Sequence, residues 1–157
     1  MRITIATFAI AACALPTAFA QTPTVDHFTQ AQLIERAQEL ESKAQSQDGS
    51  ASAKLDEYPA HYTMIALRHK DGGAEIHENY ADFFFVVQGS ATLLTGGTLE
   101  SPKTASPGEI RGTSVQNGTK TALNQGDVVH IPANTPHQML VPKGSTLIYF
   151  VVKVKEK

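Results

Sequence analysis

Two histidines and two carboxylates stand at spacings that suit a metal site carried on β-strands. Glu75 and His77 are two residues apart, so both side chains leave the same face of a strand. Asp82 follows shortly after them, and His137 lies far downstream. Imidazole nitrogens and carboxylate oxygens are ligands that suit Fe(II), Mn(II) and Zn(II). The distant histidine joins the other three residues only if the sheet closes on itself.

The elements that must position these residues are short strands. From Tyr58 onward, runs of β-prone residues alternate with turn signals rich in Gly, Asn and Asp. Such a pattern predicts an all-β fold, an antiparallel sandwich or barrel, over residues 58–157. The predicted strands cover 61–68, 74–78, 82–88, 90–95, 109–111, 119–123, 127–131, 137–141 and 145–154.

The predicted strand 82–88 is apolar on both faces over residues 83–87. Phe84 and Val86 are in phase with Asp82, so we expect them to line the interior of the barrel. The alternate residues are expected to pack against a second sheet or another subunit. A fully apolar strand beside a polar site is typical of a closed barrel with a ligand pocket.

Residues 21–57 are predicted to form a leader and one helix outside the barrel. Thr29 and Gln32 have the spacing of a capping box, which predicts a helix that begins at Thr29. The apolar residues that follow at helical spacing are Leu33, Ala37, Leu40 and Ala44. This stripe is thin, which favours a helix laid against the domain, and residues 48–50 end it.

The first twenty residues have the pattern of a secretory signal peptide. Arg2 is followed by the uncharged apolar run 3–15, and Ala18-Phe19-Ala20 is a small-x-small cleavage site. Cleavage near Ala20 predicts export to the periplasm or outside the cell. The alternative is a lipoprotein anchored through Cys13, because residues 10–13 resemble a lipoprotein cleavage box. Simple cleavage would leave no cysteine, which excludes disulfides and thiolate ligands.

The length and net charge of the chain limit the number of domains and the classes of partner. The chain has 157 residues, enough for one domain with its own core, and a net charge of −2 with the charged residues scattered. This balance gives no indication of a nucleic acid or an anionic membrane surface as a partner. There is no second long apolar run, so we expect no membrane span after cleavage.

The register of the candidate ligands resembles the first of the two motifs of the cupin superfamily. That motif is His-x-His, then an acid three or four residues on, then a Gly after six more. Here four residues separate His77 from Asp82 and six separate Asp82 from Gly89. Glu75 therefore stands at the first histidine position, and Asp82 replaces the usual glutamate.

The second cupin motif is Gly-x5-Pro-x-Gly-x2-His-x3-Asn, and its spacing is kept from Gly126 through Pro132 to His137. Asn134 stands in place of the internal glycine, and Val141 in place of the final asparagine. The resemblance covers about residues 58–154. It implies a small jelly-roll-like cupin β-barrel, a bound divalent metal and frequent homodimers.

The resemblance carries over a metal set of Glu75, His77, Asp82 and His137. Asp82 is one methylene shorter than the usual acid. Glu75 would act as a general base instead if the metal has only three protein ligands. Asn79 offers another register, with His77-x-Asn79 in place of His-x-His, but Asp82 then follows too soon.

Four other polar residues are candidates for the pocket. His130 is predicted either as a buried, hydrogen-bonded histidine or as a pocket residue. Arg111 could clamp a substrate carboxylate with its planar fork, or form an ion pair with Glu109. Tyr62 and Tyr149 are candidate lining residues, but the sequence leaves the inward phase of their strands open.

Two hypotheses for function follow. The first is a metal-dependent enzyme of the dioxygenase, lyase or isomerase type that acts on a small molecule. The second is a binding module in which the same pocket holds a small polar ligand or sugar without turnover. A structural envelope protein that uses the barrel only for dimerisation is a third, weaker interpretation.

Overall fold

Two short helices and thirteen strands make up most of residues 25–156, the part of the chain that the computed structural model describes. The helices are α1 (Gln30–Gln38) and α2 (Glu41–Ser46). The strands are β1 (Ser50–Glu57), β2 (His61–Arg68), β3 (Ala74–His77), β4 (Tyr80–Gln88), β5 (Ser90–Thr95), β6 (Thr98–Leu99), β7 (Lys103–Ser106), β8 (Glu109–Gly112), β9 (Val115–Gln116), β10 (Thr119–Asn124), β11 (Val128–Ile131), β12 (His137–Leu140) and β13 (Leu147–Lys155). The predicted signal peptide 1–20 and Cys13 lie outside the described residues.

The strands form two main antiparallel sheets. One has the order β1-β2-β13-β4-β11, and the other has the order β10-β5-β12-β3-β8-β7. A further two-stranded sheet joins β6 and β9. Neighbours in the sheets are mostly distant in sequence, so the chain passes repeatedly from one sheet to the other. This arrangement is the predicted all-β barrel.

All nine predicted strands are present, and the structure adds four more. Of these, β1 carries the sequence Ser-Ala-Ser-Ala-Lys-Leu-Asp-Glu, which has little apolar alternation. It is nevertheless paired along its length with β2 at the edge of the five-stranded sheet. The sheet therefore begins at Ser50, within the stretch that the sequence assigns to the leader and helix. The other three, β6, β7 and β9, are short strands.

The predicted N-terminal helix lies outside the barrel, but it is broken into two. Thr29 and Gln32 form the predicted capping box. The backbone N–H of Leu40 donates to the carbonyl of Ala37, three residues back, and this tight turn separates α1 from α2. Ala37 and Ala44 are fully buried against the outer face of the five-stranded sheet. Among the described residues, neither helix is long and apolar enough to cross a membrane.

The barrel core contains side chains from both main sheets. Phe84 and Val86 point inward from β4 and are 4% exposed, as predicted. Val87 packs outward beneath the helices, whereas Phe85 remains 38% exposed. Within one chain, this strand is therefore buried on both faces only where the helices cover it, and burial of Phe85 against another subunit stays a prediction.

Candidate metal centre

Three neighbouring strands bring the candidate ligands together. β3 lies between β12 and β8 in the six-stranded sheet. Glu75 pairs with His137 on β12 and with Arg111 on β8, while His77 pairs with Glu109 on β8. Residues 62 positions apart in the chain are thus placed side by side, which is the closure that the sequence required for a common site.

Glu75, His77 and His137 form a compact group of potential ligands. One ligand atom from each lies within 4.8 Å of the other two. Glu75 Oε1 is 3.4 Å from His137 Nε2, and Glu75 Oε2 is 3.7 Å from His77 Nε2. Metal–ligand bonds to nitrogen and oxygen are about 2.0–2.2 Å long, so two ligand atoms on one ion lie at most about 4.4 Å apart. The separation between Glu75 and each histidine is within that limit.

Both imidazoles are oriented by hydrogen bonds through Nδ1. His77 Nδ1 donates to Glu109 Oε2 at 2.7 Å, and His137 Nδ1 donates to the carbonyl of Thr135 at 2.9 Å. This leaves the Nε2 lone pair of each ring facing the site. Both Nε2 atoms are buried and have no hydrogen-bond partner among residues 25–156.

Burial keeps both histidines neutral at physiological pH. It lowers the pKa of His77 from 6.5 to about 4, with the charge of Lys153 adding to the effect and that of Asp82 opposing it. Burial likewise lowers the pKa of His137. Metal binding requires the neutral imidazole, and a buried polar atom without a partner is costly. The donor set therefore fits a divalent transition metal.

Asp82 lies beside the two histidines but is held by a lysine. Asp82 Oδ2 is 3.5 Å from His77 Nε2 and 3.7 Å from His137 Nε2. Lys153 Nζ approaches the two oxygens of the same carboxylate at 2.7 and 2.8 Å. Both side chains are buried, and burial lowers the pKa of Lys153 while the Asp82 charge raises it. The carboxylate at the family's acid position thus has a counter-charge from the protein.

Arg111 supplies the counter-charge for two further carboxylates, those of Glu75 and Glu109. Its Nη1 is in contact with Glu75 Oε2, and its Nη2 lies 3.2 Å from Glu109 Oε2. The predicted ion pair with Glu109 is present, and Arg111 also lines the pocket. Burial raises the pKa of Glu109, and the charges of Lys153 and His137 oppose that increase.

Comparisons with known proteins identify the fold. No protein-family model matches this chain, and no curated protein matches it. Among solved structures, the chain resembles the DMSP lyase DddQ from Ruegeria pomeroyi DSS-3 with a TM-score of 0.51 and 15% identity. The match covers 69% of this chain and 48% of DddQ, so the chain spans about half of that protein's length.

Two further structures have names that describe the fold. A double-stranded β-helix protein from Klebsiella pneumoniae matches with a TM-score of 0.51 and 16% identity over 68% of this chain and 77% of its own. The cupin domain of Cnp3 from Schizosaccharomyces pombe matches with a TM-score of 0.51 and 9% identity over 68% and 61%. The chain has the cupin fold.

The cupin register counted along the sequence agrees with the placement of the residues. Glu75, His77 and Asp82 line one pocket of the cupin barrel, and His137 Nε2 lies 3.4 Å from Glu75 Oε1 and 3.7 Å from Asp82 Oδ2. Among the described residues, Glu75, His77 and His137 form the compact group. Asn79, the alternative ligand, lies after the end of β3 and does not line that pocket.

The pocket has a volume of about 550 Å³, within the range of small-molecule sites. Tyr62 and Tyr149 both line it, which settles the phase that the sequence left open. Burial raises the pKa of Tyr62 to about 12, with the nearby charges of Glu109 and Asp82 contributing. The hydroxyl of Tyr62 therefore stays protonated over the physiological range.

His130 does not belong to this pocket, and the prediction that it is buried is wrong. It pairs with Phe83 in register, so its side chain lies on the outer face of the barrel. There it is exposed and stacks on the Phe83 ring at 4.4 Å. β11 is the edge strand of its sheet, which leaves that face open to solvent.

Sequence reasoning missed Lys153 and the role of Glu109. Lys153 interrupts the apolar strand β13 in phase with Tyr149 and Val151, and a charge in such a phase is a signal that can be read from sequence. The sequence indicates Glu109 only as a partner of Arg111. Its contact with His77 depends on the pairing of β3 with β8, which no local pattern shows.

Proposed function

We propose that this cupin binds a divalent transition metal, Fe(II), Mn(II) or Zn(II), and acts as an enzyme on a small molecule. The observation that carries the proposal is a pair of buried histidines, His77 and His137. The Nε2 atom of each has no hydrogen-bond partner among the described residues. His77, His137 and Glu75 would hold the ion. When bound, it would supply Lewis-acid or oxygen-binding chemistry.

The protein's own groups would hold and orient these ligands. Glu109 keeps the Nδ1 proton of His77, so that Nε2 remains available. Arg111 holds one oxygen of Glu75, while the other oxygen faces His137. Glu75 would act as a general base if the ion is held without it. A lyase, an isomerase and a dioxygenase are all compatible with this arrangement, and DddQ is by its name a lyase.

The second candidate is a binding cupin without turnover. A specific observation favours it, because Glu75 and Asp82 each have a cation from the protein already in contact. Because protein cations already compensate the charges of both carboxylates, a metal ion would gain less electrostatic stabilisation in this pocket. It would then hold a small polar ligand or sugar through its charged and tyrosine side chains.

A metal-binding measurement on the mature protein, prepared without a His tag, distinguishes the two candidate functions. The protein is freed of metal with a chelator and titrated with Fe(II), Mn(II) and Zn(II), and stoichiometry is measured by calorimetry and elemental analysis. We expect one ion per chain, lost in His137→Ala and retained in His130→Ala, which removes an exposed histidine. Failure of the wild type to bind any of the three ions would reject the enzyme proposal.

We also propose export, on the basis of the sequence of residues 1–20 alone. Mass spectrometry of the protein from the periplasm or medium should show an N-terminus at Gln21. An acylated N-terminal cysteine that disappears in Cys13→Ser would instead establish the lipoprotein alternative.

We further propose a homodimer, supported by an exposed apolar pair on the outer face of the barrel. Phe85 and Val128 are directly paired on β4 and β11 and are 38% and 58% exposed. Sedimentation of the wild type should give a dimer, and Val128→Lys should shift it toward the monomer. A monomeric wild type would contradict the proposal.

A further inference from the structure

Arg68 is a pocket cation that the metal centre does not use. It is the last residue of β2 and shares the inward face of that strand with Tyr62, Met64 and Ala66. Its side chain is half-buried in the pocket. Within residues 25–156, no carboxylate oxygen lies within salt-bridge distance of its guanidinium. The other pocket arginine, Arg111, differs because it contacts both Glu75 and Glu109.

A tyrosine holds the Arg68 guanidinium in place. Arg68 Nε donates to the hydroxyl of Tyr149 at 2.8 Å, and the guanidinium carbon lies 5.9 Å from the centre of the Tyr149 ring. Tyr149 itself is buried against Phe84 in the barrel core. This bond uses Nε and leaves the two terminal nitrogens, the fork that binds a carboxylate through two parallel hydrogen bonds.

The charges around the pocket favour an anion. The cationic side chains that line it are Lys43, Arg68, Arg111 and Lys153. The acidic ones are Glu75, Asp82 and Glu109, one fewer than the cations. Both arginines, Arg68 and Arg111, line this one pocket. A divalent metal would make the pocket more positive still.

We propose that Arg68 is the specificity residue of this pocket and binds the carboxylate of a small organic acid, whose other polar end faces the metal centre. The proposal rests on the proposed function for that second end. The binding of the carboxylate by Arg68 does not depend on the metal. A carboxylate on the fork of Arg68 would neutralise a half-buried guanidinium that has no acidic partner among the described residues, and Tyr149 already orients that fork.

Succinate and its uncharged diamide, succinamide, are matched probes for this proposal. Binding of each is measured by calorimetry and by thermal stabilisation, at constant ionic strength, with metal-free and with metal-loaded protein. The variants are Arg68→Gln, Arg68→Lys and the control Arg36→Gln, which removes an exposed arginine from α1. Circular dichroism verifies that each variant is folded.

We expect succinate, and not succinamide, to bind the wild type and Arg36→Gln saturably. Arg68→Gln should weaken that binding about 10- to 100-fold, the loss expected for a charge-assisted pair. Arg68→Lys, which keeps the charge without the fork, should restore it only in part. Succinate binding that persists in the metal-free protein supports the proposal even if the metal centre fails its own test.

Two results would overturn the proposal. One is equal succinate affinity in the wild type and Arg68→Gln. The other is a wild type that binds succinate no better than succinamide, with or without metal. If that protein still binds a metal ion, the proposed function stands and only the organic acid is removed as its substrate class.

Discussion

The hydrogen bonds made by Nδ1 determine which tautomer His77 and His137 adopt. A carbonyl oxygen only accepts, so His137 carries its proton on Nδ1. Glu109 imposes the same tautomer on His77 through a contact of 2.7 Å. Each ring therefore offers a neutral Nε2 to the site without reorganisation. The affinity for an ion should depend on these partners as well as on the ligands.

Glu109→Gln should weaken metal binding about 10- to 100-fold, the usual effect of losing an outer partner of a histidine ligand. The substitution removes the negative charge, and the amide NH₂ can donate to Nδ1 of His77. That hydrogen bond would favour the tautomer that carries the proton on Nε2, which cannot bind a metal ion. Metal titration by calorimetry measures the change. Glu100→Gln is the control, because Glu100 is an acid that contacts Ser114 and does not line the pocket. Unchanged affinity in Glu109→Gln would show that Glu109 does not orient His77.

Lys153→Met should destabilise the metal-free protein by about 3–5 kcal/mol, because it leaves Asp82 buried without its counter-charge. The double variant with Asp82→Asn should recover part of the loss. Urea unfolding of the two single variants and the double variant measures this coupling.

The same Lys153→Met substitution should strengthen metal binding, since Asp82 is then free to face the ion beside the two histidines. Weaker metal binding in the folded variant would mean that Lys153 supports the metal centre rather than competing for Asp82. Calorimetric titration of the same samples gives the answer.

At the scale of elements, the turn between β4 and β5 depends on a glycine. Gly89 has φ +87°, a conformation that residues with a Cβ rarely adopt. A Cβ at this position would lie 2.1 Å from the backbone oxygen of Thr146, just before β13. Gly89 therefore allows β4 to turn sharply while β13 remains paired beside it.

Gly89→Ala should lower the free energy of unfolding by more than about 3 kcal/mol, the upper end for ordinary substitutions. Gly144→Ala is the matched control, because Gly144 has φ +79° and open space around its Cβ position. The control should lose only the left-handed backbone cost of about 1–2 kcal/mol. Equal losses in chemical denaturation would show that contact with Thr146 is unimportant.

At the scale of the whole molecule, folding moves the metal centre out of water. His77 and His137 are 4% and 2% exposed, although both carry ionisable rings. Their pKa values are lowered on folding, so the unfolded chain binds protons that the folded protein does not. The stability of the metal-free protein must then depend on pH in the range where histidine titrates.

We expect the stability of the metal-free protein to be greatest above pH 6.5 and to fall as the pH decreases from 6.5 toward 4. The lower limit follows from the pKa of about 4 for His77. Chemical denaturation at several pH values measures the slope. The double variant His77→Gln, His137→Gln should have a flatter slope, while His27→Gln, at an exposed residue, should keep that of the wild type. A wild-type stability independent of pH over this range would contradict the burial argument.

Much of the fold was readable from local patterns, because strand alternation and turn residues are properties of neighbouring positions. The capping box at Thr29 and the inward phase of Phe84 are of this kind, and both predictions are confirmed. β1 was missed because its small and polar residues show no alternation, and its pairing with β2 places it in the sheet. His130 was assigned to the wrong face because periodicity does not tell the two faces of an apolar strand apart.

The sequence by itself determined the types and register of the residues at the site: Glu75, His77, Asp82 and His137 are brought together as their cupin spacing predicted. Only the tertiary structure decided the partner of each buried charge. Lys153 lies 71 residues from Asp82, and Glu109 lies 32 residues from His77. Such pairs form across strands that are neighbours in the sheets and distant in the chain, so their energies depend on a pairing that no local stretch of sequence contains.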